Sequence, residues 1–178
     1  MQTQADRTDD ELMAQLASGE LDASAALFRR YQNNLYGFFL RMGFAADAAE
    51  DLVQEVFERL IRYRQSYRTG MPFRAWIYQI ARNVRTDRRL RRTELALPDQ
   101  AEAADEPWQD TEERLAQLEW ALQRLPEDQL EILLLTRYQR LKYTEVGVLL
   151  GCSEGAVKLK VFRALQQLRA IYFRLEKI

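Results

Sequence analysis

Residues 143–163 read YTEVGVLLGCSEGAVKLKVFR, and this stretch decides the fold of the carboxyl-terminal part of the chain. Gly151 follows a short apolar segment and can adopt the left-handed conformation that ends a helix, while Ser153 can cap the next helix through its hydroxyl. Gly147 lies inside the first helix, where glycine costs about 1 kcal/mol relative to alanine, so it is expected to mark a close helix crossing. A short helix, a tight turn and a capped long helix together predict a helix-turn-helix.

The second helix of this motif has two different faces. Spacings of three and four residues join its apolar side chains into one seam, formed by Val157, Val161, Ala164, Leu168, Ile171 and Leu175. At about 100° per residue, Leu159 and Arg163 lie opposite this seam. The recognition face, expected to contact bases at its centre and phosphates at its edges, consists of Ser153, Lys158, Leu159, Lys160, Phe162 and Arg163. The alternative is a solvated face of a terminal helix, which gives no reason for exposing Leu159 and Phe162.

The other apolar residues also recur with a helical period, and no segment shows the alternation of a β-strand. Thr8 and Glu11 fit a capping box at the start of a first helix. Further helices are predicted at residues 22–42, 45–61, 72–92, 111–124, 126–139, 143–150 and 154–175, with a loop at 65–71. The expected fold class is all-α, with two helical domains joined by an acidic linker. The predicted boundaries are 1–92 for the first domain, 93–112 for the flexible linker and 113–178 for the domain with the helix-turn-helix.

Charge is segregated along the chain although the net charge is only −1. Residues 1–58 carry a net charge of −7, residues 59–92 of +10, residues 93–113 of −8 and residues 114–178 of +4. Like charges on neighbouring helix turns repel one another, and binding to a polyanion relieves that repulsion. The pattern therefore favours two cationic nucleic-acid-binding surfaces separated by an acidic connector, over arginines that only solvate helix faces.

Several classes of protein are excluded by what the 178 residues lack. Histidine is absent and Cys152 is the only cysteine, which excludes histidine-based catalysis, histidine metal clusters and an internal disulfide. No apolar run approaches the roughly 18 residues of a membrane span, and the acidic amino terminus is not a signal peptide. A soluble, cytoplasmic protein with no metal and no cofactor is expected. Cys152 is expected to be a small packing residue and not a nucleophile.

A basic-aromatic surface is predicted around the helix that begins at Pro72. It is expected to expose Tyr67, Arg68, Arg74, Tyr78, Arg82, Asn83, Arg85, Arg88 and Arg89, together with Arg91 and Arg92. Aromatic rings beside guanidinium groups suit single-stranded DNA, because bases stack on rings and phosphates meet cations. Tyr67 and Tyr78 are the expected base contacts, whereas Trp76 lies on the apolar side of the helix and is expected in the core.

The third helix carries an acidic face made of Asp47, Glu50, Asp51, Gln54 and Glu55, followed by Glu58. Because acidic groups repel DNA, this face is expected to point away from the DNA-binding surface. It is either only solvated or a docking surface for a basic protein partner. Composition alone does not decide between these two interpretations.

Several motifs, in this order, resemble those of bacterial sigma factors. The segments DLVQEVF at 51–57 and FRAWIY at 73–78, with Ala81, Asn83 and Asp87-Arg88, resemble the second conserved region. The segments LPEDQ at 125–129 and LGCSEGAVK at 150–158 resemble the fourth region. Because only a short linker separates the two, the chain resembles an extracytoplasmic-function (ECF, group IV) sigma factor of the sigma-70 family. Serine is common in that family where Leu159 stands, so the resemblance does not imply the exact minus-thirty-five sequence.

The resemblance implies a role for each surface. The acidic face would bind the clamp helices of the beta-prime subunit of RNA polymerase core, and the basic-aromatic surface would capture and melt the minus-ten element of promoter DNA. The helix-turn-helix domain would bind the beta flap and read the minus-thirty-five element, and the acidic linker would run through the RNA path of the polymerase. An anti-sigma factor would hold the protein inactive until a stress or envelope signal releases it.

Two other functions compete with this interpretation. An ordinary two-domain transcription regulator would bind its operator tightly without polymerase, which the acidic amino-terminal block opposes. An enzyme is the weaker alternative, because the chain has neither histidine nor a phosphate-binding glycine loop. Transcription from a promoter by added core polymerase would separate the sigma factor from both alternatives.

Overall fold

The structure is a computed structural model that describes residues 7–68, 70–94 and 110–175. Its helices are α1 (Asp9–Ala17), α2 (Asp22–Arg41), α3 (Ala46–Arg62), α4 (Phe73–Glu94), α5 (Asp110–Leu122), α6 (Glu127–Leu133), α7 (Tyr143–Leu150) and α8 (Glu154–Leu175). A 3₁₀ turn at Arg64–Ser66 follows α3, and a π-helical turn at Leu134–Tyr138 continues α6. The described residues contain no β-strand, and the predicted all-α fold is confirmed.

The chain divides into two compact units, residues 1–40 with 45–99 and residues 41–44 with 100–178. Helices α1 to α4 build most of the first unit, and α5 to α8 build the second. Most of the predicted linker, residues 95–109, lies outside the described residues. Its first two positions belong to the last turn of α4, and its last three belong to the first turn of α5. In the described part of the chain, no helix combines the length and the apolar character that crossing a membrane requires.

The first unit begins with the predicted capping box. The backbone N–H of Glu11 donates to the hydroxyl of Thr8 at 3.3 Å, and the N–H of Thr8 donates to the carboxylate of Glu11 at 2.7 Å. These two bonds satisfy donors that the first turn of a helix leaves without partners. The start of α1 is therefore set by four consecutive residues, as the sequence predicts.

The first half of α4 is buried within the first unit. From Phe73 to Ala81, only Arg74 and Gln79 retain partial exposure, and the remaining side chains are buried. A helix that is buried on nearly all sides is packed by several neighbours and has no single solvent face. This enclosure determines which of the predicted α4 residues can reach DNA.

In the second unit, α6 is exposed at Glu127 and Asp128, is buried from Leu130 to Leu133, and widens at its end. The N–H of Gln139 donates to the carbonyl of Leu134 at 2.9 Å, which is the five-residue spacing of a π-helix. The helix predicted at 126–139 therefore has the right extent, but its last turn is π-helical.

The helix-turn-helix has the predicted geometry in its turn. Gly151 adopts the left-handed conformation, with φ 63° and ψ 36°, and the hydroxyl of Ser153 accepts a bond from the N–H of Ala156 at 3.2 Å. Gly147 marks a close approach, as expected, because the turn and the first residue of α8 lie against it. A Cβ atom at this position would lie 2.7 Å from the carbonyl oxygen of Cys152, so the glycine admits the backbone of the turn itself.

Candidate nucleic-acid interfaces

The recognition face of α8 is open to solvent. Leu159 and Phe162 are 49% and 59% exposed, while Val157, Val161 and Ala164 are buried on the opposite side. The predicted division into a packed seam and an exposed face is therefore confirmed over the first half of the helix. Leu168 and Ile171 of the predicted seam are only partly buried, and the side chain of Leu175 lies outside the described residues. That the exposed face contacts DNA stays a prediction.

Two cations flank Leu159 in different surroundings. Lys158 forms an ion pair with Glu154, one turn earlier, at 2.7 Å, and this hydrogen bond raises the pKa of Lys158. Lys160 and Arg163 are also exposed. The ion pair lies in open solvent, where such pairs contribute little, so a phosphate can replace Glu154 as the partner of Lys158.

Ser153 is first of all a structural residue. Its oxygen accepts the capping bond from Ala156, and the residue is exposed at the start of α8. The hydroxyl hydrogen is not used by this capping bond, and a phosphate is a suitable acceptor for it. The two roles are compatible at a helix amino terminus, which also favours anions.

On α4, the placement of Tyr78 on the exposed basic-aromatic surface is wrong. Tyr78 is 1% exposed, and its ring packs edge-on against Phe38 of α2 with the ring centroids 5.6 Å apart. Burial also raises the pKa of Tyr78, because a low-dielectric environment disfavours the phenolate. The ring belongs to the core of the first unit and cannot serve as a stacking platform for a base in this conformation.

Arg85 is the second correction on this surface. It lies seven residues, about two helical turns, after Tyr78, which places it on the same side of α4, and it is 6% exposed. The predicted surface places Arg85 on the exposed side of the helix, and the structure places it on the buried side. Arg85 is therefore a buried residue of the first unit and not part of an open cationic face.

The exposed row of α4 is mainly polar. Spacings of four, three and four residues join Gln79, Asn83, Thr86 and Leu90, and Gln79 donates to the side-chain oxygen of Asn83 at 3.1 Å. The arginines predicted for this surface that keep partial exposure are Arg74, Arg82, Arg88 and Arg89. Asn83 and Arg91 are thus the exposed members of the predicted surface on α4, and partly exposed arginines accompany them. The side chain of Arg92 lies outside the described residues.

Tyr67, in the loop before α4, is held by contacts of both its ring and its hydroxyl. Tyr67 is partly buried, and its ring packs edge-on against Trp76 and Phe73, with ring centroids 5.2 Å and 6.1 Å away. Its hydroxyl contacts the carboxylate of Asp10 on α1 and the carbonyl of Met71. Burial and the Asp10 carboxylate raise the pKa of Tyr67. Trp76 is buried, as predicted.

Tyr63, at the end of α3, is a candidate that sequence reasoning missed. It is 49% exposed and lies between Arg62 and Arg64 in the sequence. Arg68, further along the loop, is exposed as predicted. An aromatic residue flanked by two arginines at the end of an amphipathic stripe was the signal that could have found it.

The acidic face of α3 adjoins the basic residues of α4. Asp47, Glu50, Asp51 and Gln54 are exposed, whereas Glu55 is partly buried and accepts a bond from Arg59 at 2.5 Å. Arg59 also pairs with Asp87 of α4 at 2.7 Å. The carboxylates of Asp51 and Glu55 lie 3.6 Å and 3.9 Å from the guanidinium groups of Arg88 and Arg91.

These pairs correct the expectation that the acidic face points wholly away from the basic surface. Helices α3 and α4 pack side by side, so one edge of the acidic face meets the arginines of α4. Partial neutralisation across this edge lowers the repulsion that either surface would have alone. The first unit thus has adjoining regions of opposite charge.

These features define the class of the protein: an all-α, two-unit protein with a helix-turn-helix in one unit and adjoining acidic and basic surfaces in the other. Comparison with protein families gives the more specific assignment. The family "Sigma-70 region 2" matches residues 27–94, and the family "Sigma-70, region 4" matches residues 115–168. Both matches coincide with the segments that carry these surfaces.

Known relatives agree with the family matches. The chain is 33% identical over 144 residues to the ECF RNA polymerase sigma factor EcfG of Rhodopseudomonas palustris, covering 79% of this chain and 80% of the relative. The chain belongs to the sigma-70 family of RNA polymerase sigma factors, in the ECF group.

Solved structures resemble most of the chain. CnrH in complex with the cytosolic domain of CnrY matches with a TM-score of 0.72 and 27% identity, over 92% of this chain and 96% of that one. The sigma factor RpoE of Bartonella quintana, in complex with the anti-sigma factor NepR, matches with a TM-score of 0.66 and 27% identity, over 81% and 92%. The fold is therefore shared with a sigma factor that was solved in complex with an anti-sigma factor.

Proposed function

We propose that this ECF sigma factor binds RNA polymerase core through the acidic face of α3, opens the minus-ten element with the loop and exposed row of the first unit, and reads the minus-thirty-five element with α8. The observation that supports this proposal is the contact between the acidic face of α3 and the basic residues of α4, where the side chains of Asp51 and Arg88 lie 3.6 Å apart. A surface for a basic protein beside a surface for DNA suits a factor that delivers polymerase to a promoter. A regulator that acts by operator binding alone has no use for the acidic face.

The protein acts by binding and not by catalysis in this proposal. Leu159 and Phe162, which are exposed on α8, contact the major groove in this proposal, and the exposed Lys158, Lys160 and Arg163 contact the phosphates. In the first unit, Tyr63, Arg68 and Asn83 replace Tyr78 and Arg85 as the groups with access to an unpaired strand. The beta flap is the second polymerase contact, made by the carboxyl-terminal unit.

Regulation by an anti-sigma factor is part of the proposal. It is supported by the similarity to RpoE, which was solved with the anti-sigma factor NepR. A bound anti-sigma factor would shield the exposed apolar residues of α8 from solvent while the protein is inactive. Release by a stress or envelope signal would then deliver the factor to polymerase in the cytoplasm.

The test adds the full chain to sigma-free core polymerase and measures promoter-specific transcripts. The variant Asp47→Arg with Glu50→Arg reverses two exposed charges of the acidic face, and we expect it to lose co-purification with core polymerase. Glu20→Arg, which reverses one exposed acid in the turn after α1, is the control for charge reversal outside this face. Retention of both polymerase and transcripts by the double variant would refute the docking role of this face. Tight, sequence-specific promoter binding by the free protein would favour the ordinary regulator.

A further inference from the structure

Two adjacent aspartates in the first turn of α1 reach two different parts of the first unit. Asp9 accepts bonds from the hydroxyl of Tyr31 at 2.5 Å and from Arg30 at 2.7 Å, both on α2. Asp10 accepts a bond from the hydroxyl of Tyr67, in the loop between α3 and α4. The start of α1 is thus fastened to α2 by one carboxylate and to the loop by the next.

The loop meets α1 at a second point. The side-chain amide of Gln65 donates to the carbonyl of Ala17, at the last residue of α1, at 3.4 Å. The two contacts lie at opposite ends of a nine-residue helix, one at Asp10 and one at Ala17. Helix α1 therefore lies along residues 65–67 of the loop and restricts their movement.

The Tyr67 hydroxyl has a single proton and two acceptors within reach. One is the carboxylate of Asp10, and the other is the carbonyl of Met71 at 2.8 Å. A bond to a charged acceptor is stronger than a bond to a neutral carbonyl, so the carboxylate has the larger influence on the direction of the hydroxyl. The ring of Tyr67 is held at the same time by Trp76 and Phe73.

We propose that Asp10 is a positioning residue for promoter opening: through the Tyr67 hydroxyl it holds the loop in the conformation that receives an unpaired minus-ten base. The proposal rests on the function proposed above for this loop. Fixing a loop before binding removes an entropy cost that would otherwise reduce affinity. Neighbouring Tyr63 and Arg68, which face solvent, gain a defined position from the same contact.

This role predicts an effect opposite in sign to simple electrostatics. Asp10 is a negative charge near a loop that carries Arg64 and Arg68, so its removal alone should strengthen binding to a polyanion. If Asp10 positions the loop, its removal instead weakens the capture of an unpaired strand. The two explanations therefore differ in the direction of the change and not only in its size.

The experiment uses the full chain with core polymerase and measures open complexes by permanganate reactivity of minus-ten thymines, relative to closed complexes at low temperature. We expect Asp10→Ala and Tyr67→Phe each to reduce the ratio of open to closed complexes on the order of five-fold, the effect of one hydrogen bond. The double variant should lose no more than either single variant, because both remove the same bond. Asp10→Asn, which keeps an acceptor oxygen without the charge, should lose less of the opening than Asp10→Ala. Glu20→Ala is the control for the loss of one charge.

Three outcomes would overturn the proposal. The first is an open-to-closed ratio for Asp10→Ala that is unchanged or raised, as electrostatics alone predicts. The second is independent losses that multiply in the double variant, and the third is a loss in Asp10→Asn as large as in Asp10→Ala. A wild-type holoenzyme that opens no promoter would instead refute the proposed function, so the two failures are distinguishable. Thermal melting of each variant shows whether the first unit remains folded.

Discussion

The carboxylate of Asp51 on α3 lies 3.6 Å from the guanidinium of Arg88 on α4, where the acidic and basic surfaces of the first unit meet. Both side chains keep substantial exposure, at 66% and 35%. Ion pairs of this kind contribute about 0–1 kcal/mol, so they are easily exchanged for other partners. A polymerase that binds Asp51 would leave Arg88 available to a DNA phosphate, which connects the two binding events at one pair of residues.

Substitutions of Arg88 and of Asp51 should change the affinity for duplex DNA in opposite directions. Arg88→Ala should weaken binding of duplex DNA by the free protein for all sequences alike. It should also reduce the magnitude of the negative slope of log affinity against log salt by about one. Asp51→Asn should strengthen the same binding, because Arg88 loses its competing partner. Salt titrations by fluorescence anisotropy measure both effects, with Glu20→Gln as a control of equal charge change. A loss that depends on base sequence would show that Arg88 reads bases.

Tyr78 should matter for stability and not for DNA contact. Tyr78→Ala removes a large buried ring that packs on Phe38, and we expect it to lower the free energy of unfolding of the first unit by about 3–5 kcal/mol. Tyr78→Phe keeps the ring and should be much milder. Urea denaturation of both variants tests this expectation, and promoter opening lost at unchanged stability would contradict it.

Tyr63 should behave in the opposite way. Tyr63→Ala removes a half-exposed ring, so unfolding should change little, while promoter opening should lose about 1–3 kcal/mol if a base stacks there. Tyr63→Phe retains the stacking surface and serves as the matched variant. Permanganate footprints together with closed-complex affinities give the measurement. Equal opening by Tyr63→Ala and wild type would remove this residue from the interface.

Leu159 is expected to read a thymine in the minus-thirty-five element. Leucine has no hydrogen-bonding group, and the thymine methyl is the main apolar feature of the major groove. Leu159→Ser should relax a thymine preference at one position and cost on the order of 1 kcal/mol. Transcription from a randomised minus-thirty-five library, with wild type and variant, gives the base profile. An identical profile would mean that Leu159 packs on the polymerase flap or an anti-sigma factor.

The features that the sequence by itself determined are those that depend on neighbours within about one helical turn. The capping box of Thr8 and Glu11, the left-handed Gly151 and the Ser153 cap are local, because their partners lie three or four residues away. The two faces of α8 were also predictable, since this helix is packed on one side only over its first half. For such a helix, the 3.6-residue period is enough to separate the buried seam from the exposed face.

Only the tertiary structure decided which residues of α4 reach solvent. Its first half is enclosed on nearly all sides, so Tyr78 and Arg85 are buried although nothing in their local pattern requires it. The contact of Asp10 with Tyr67 joins positions 57 residues apart, and the Asp51–Arg88 pair depends on how α3 packs against α4. Helical periodicity gives the direction of a side chain relative to its own helix, whereas burial depends on how many other helices surround that helix. The fold class and the recognition face could therefore be read from the sequence, while the composition of the minus-ten surface required the packed structure.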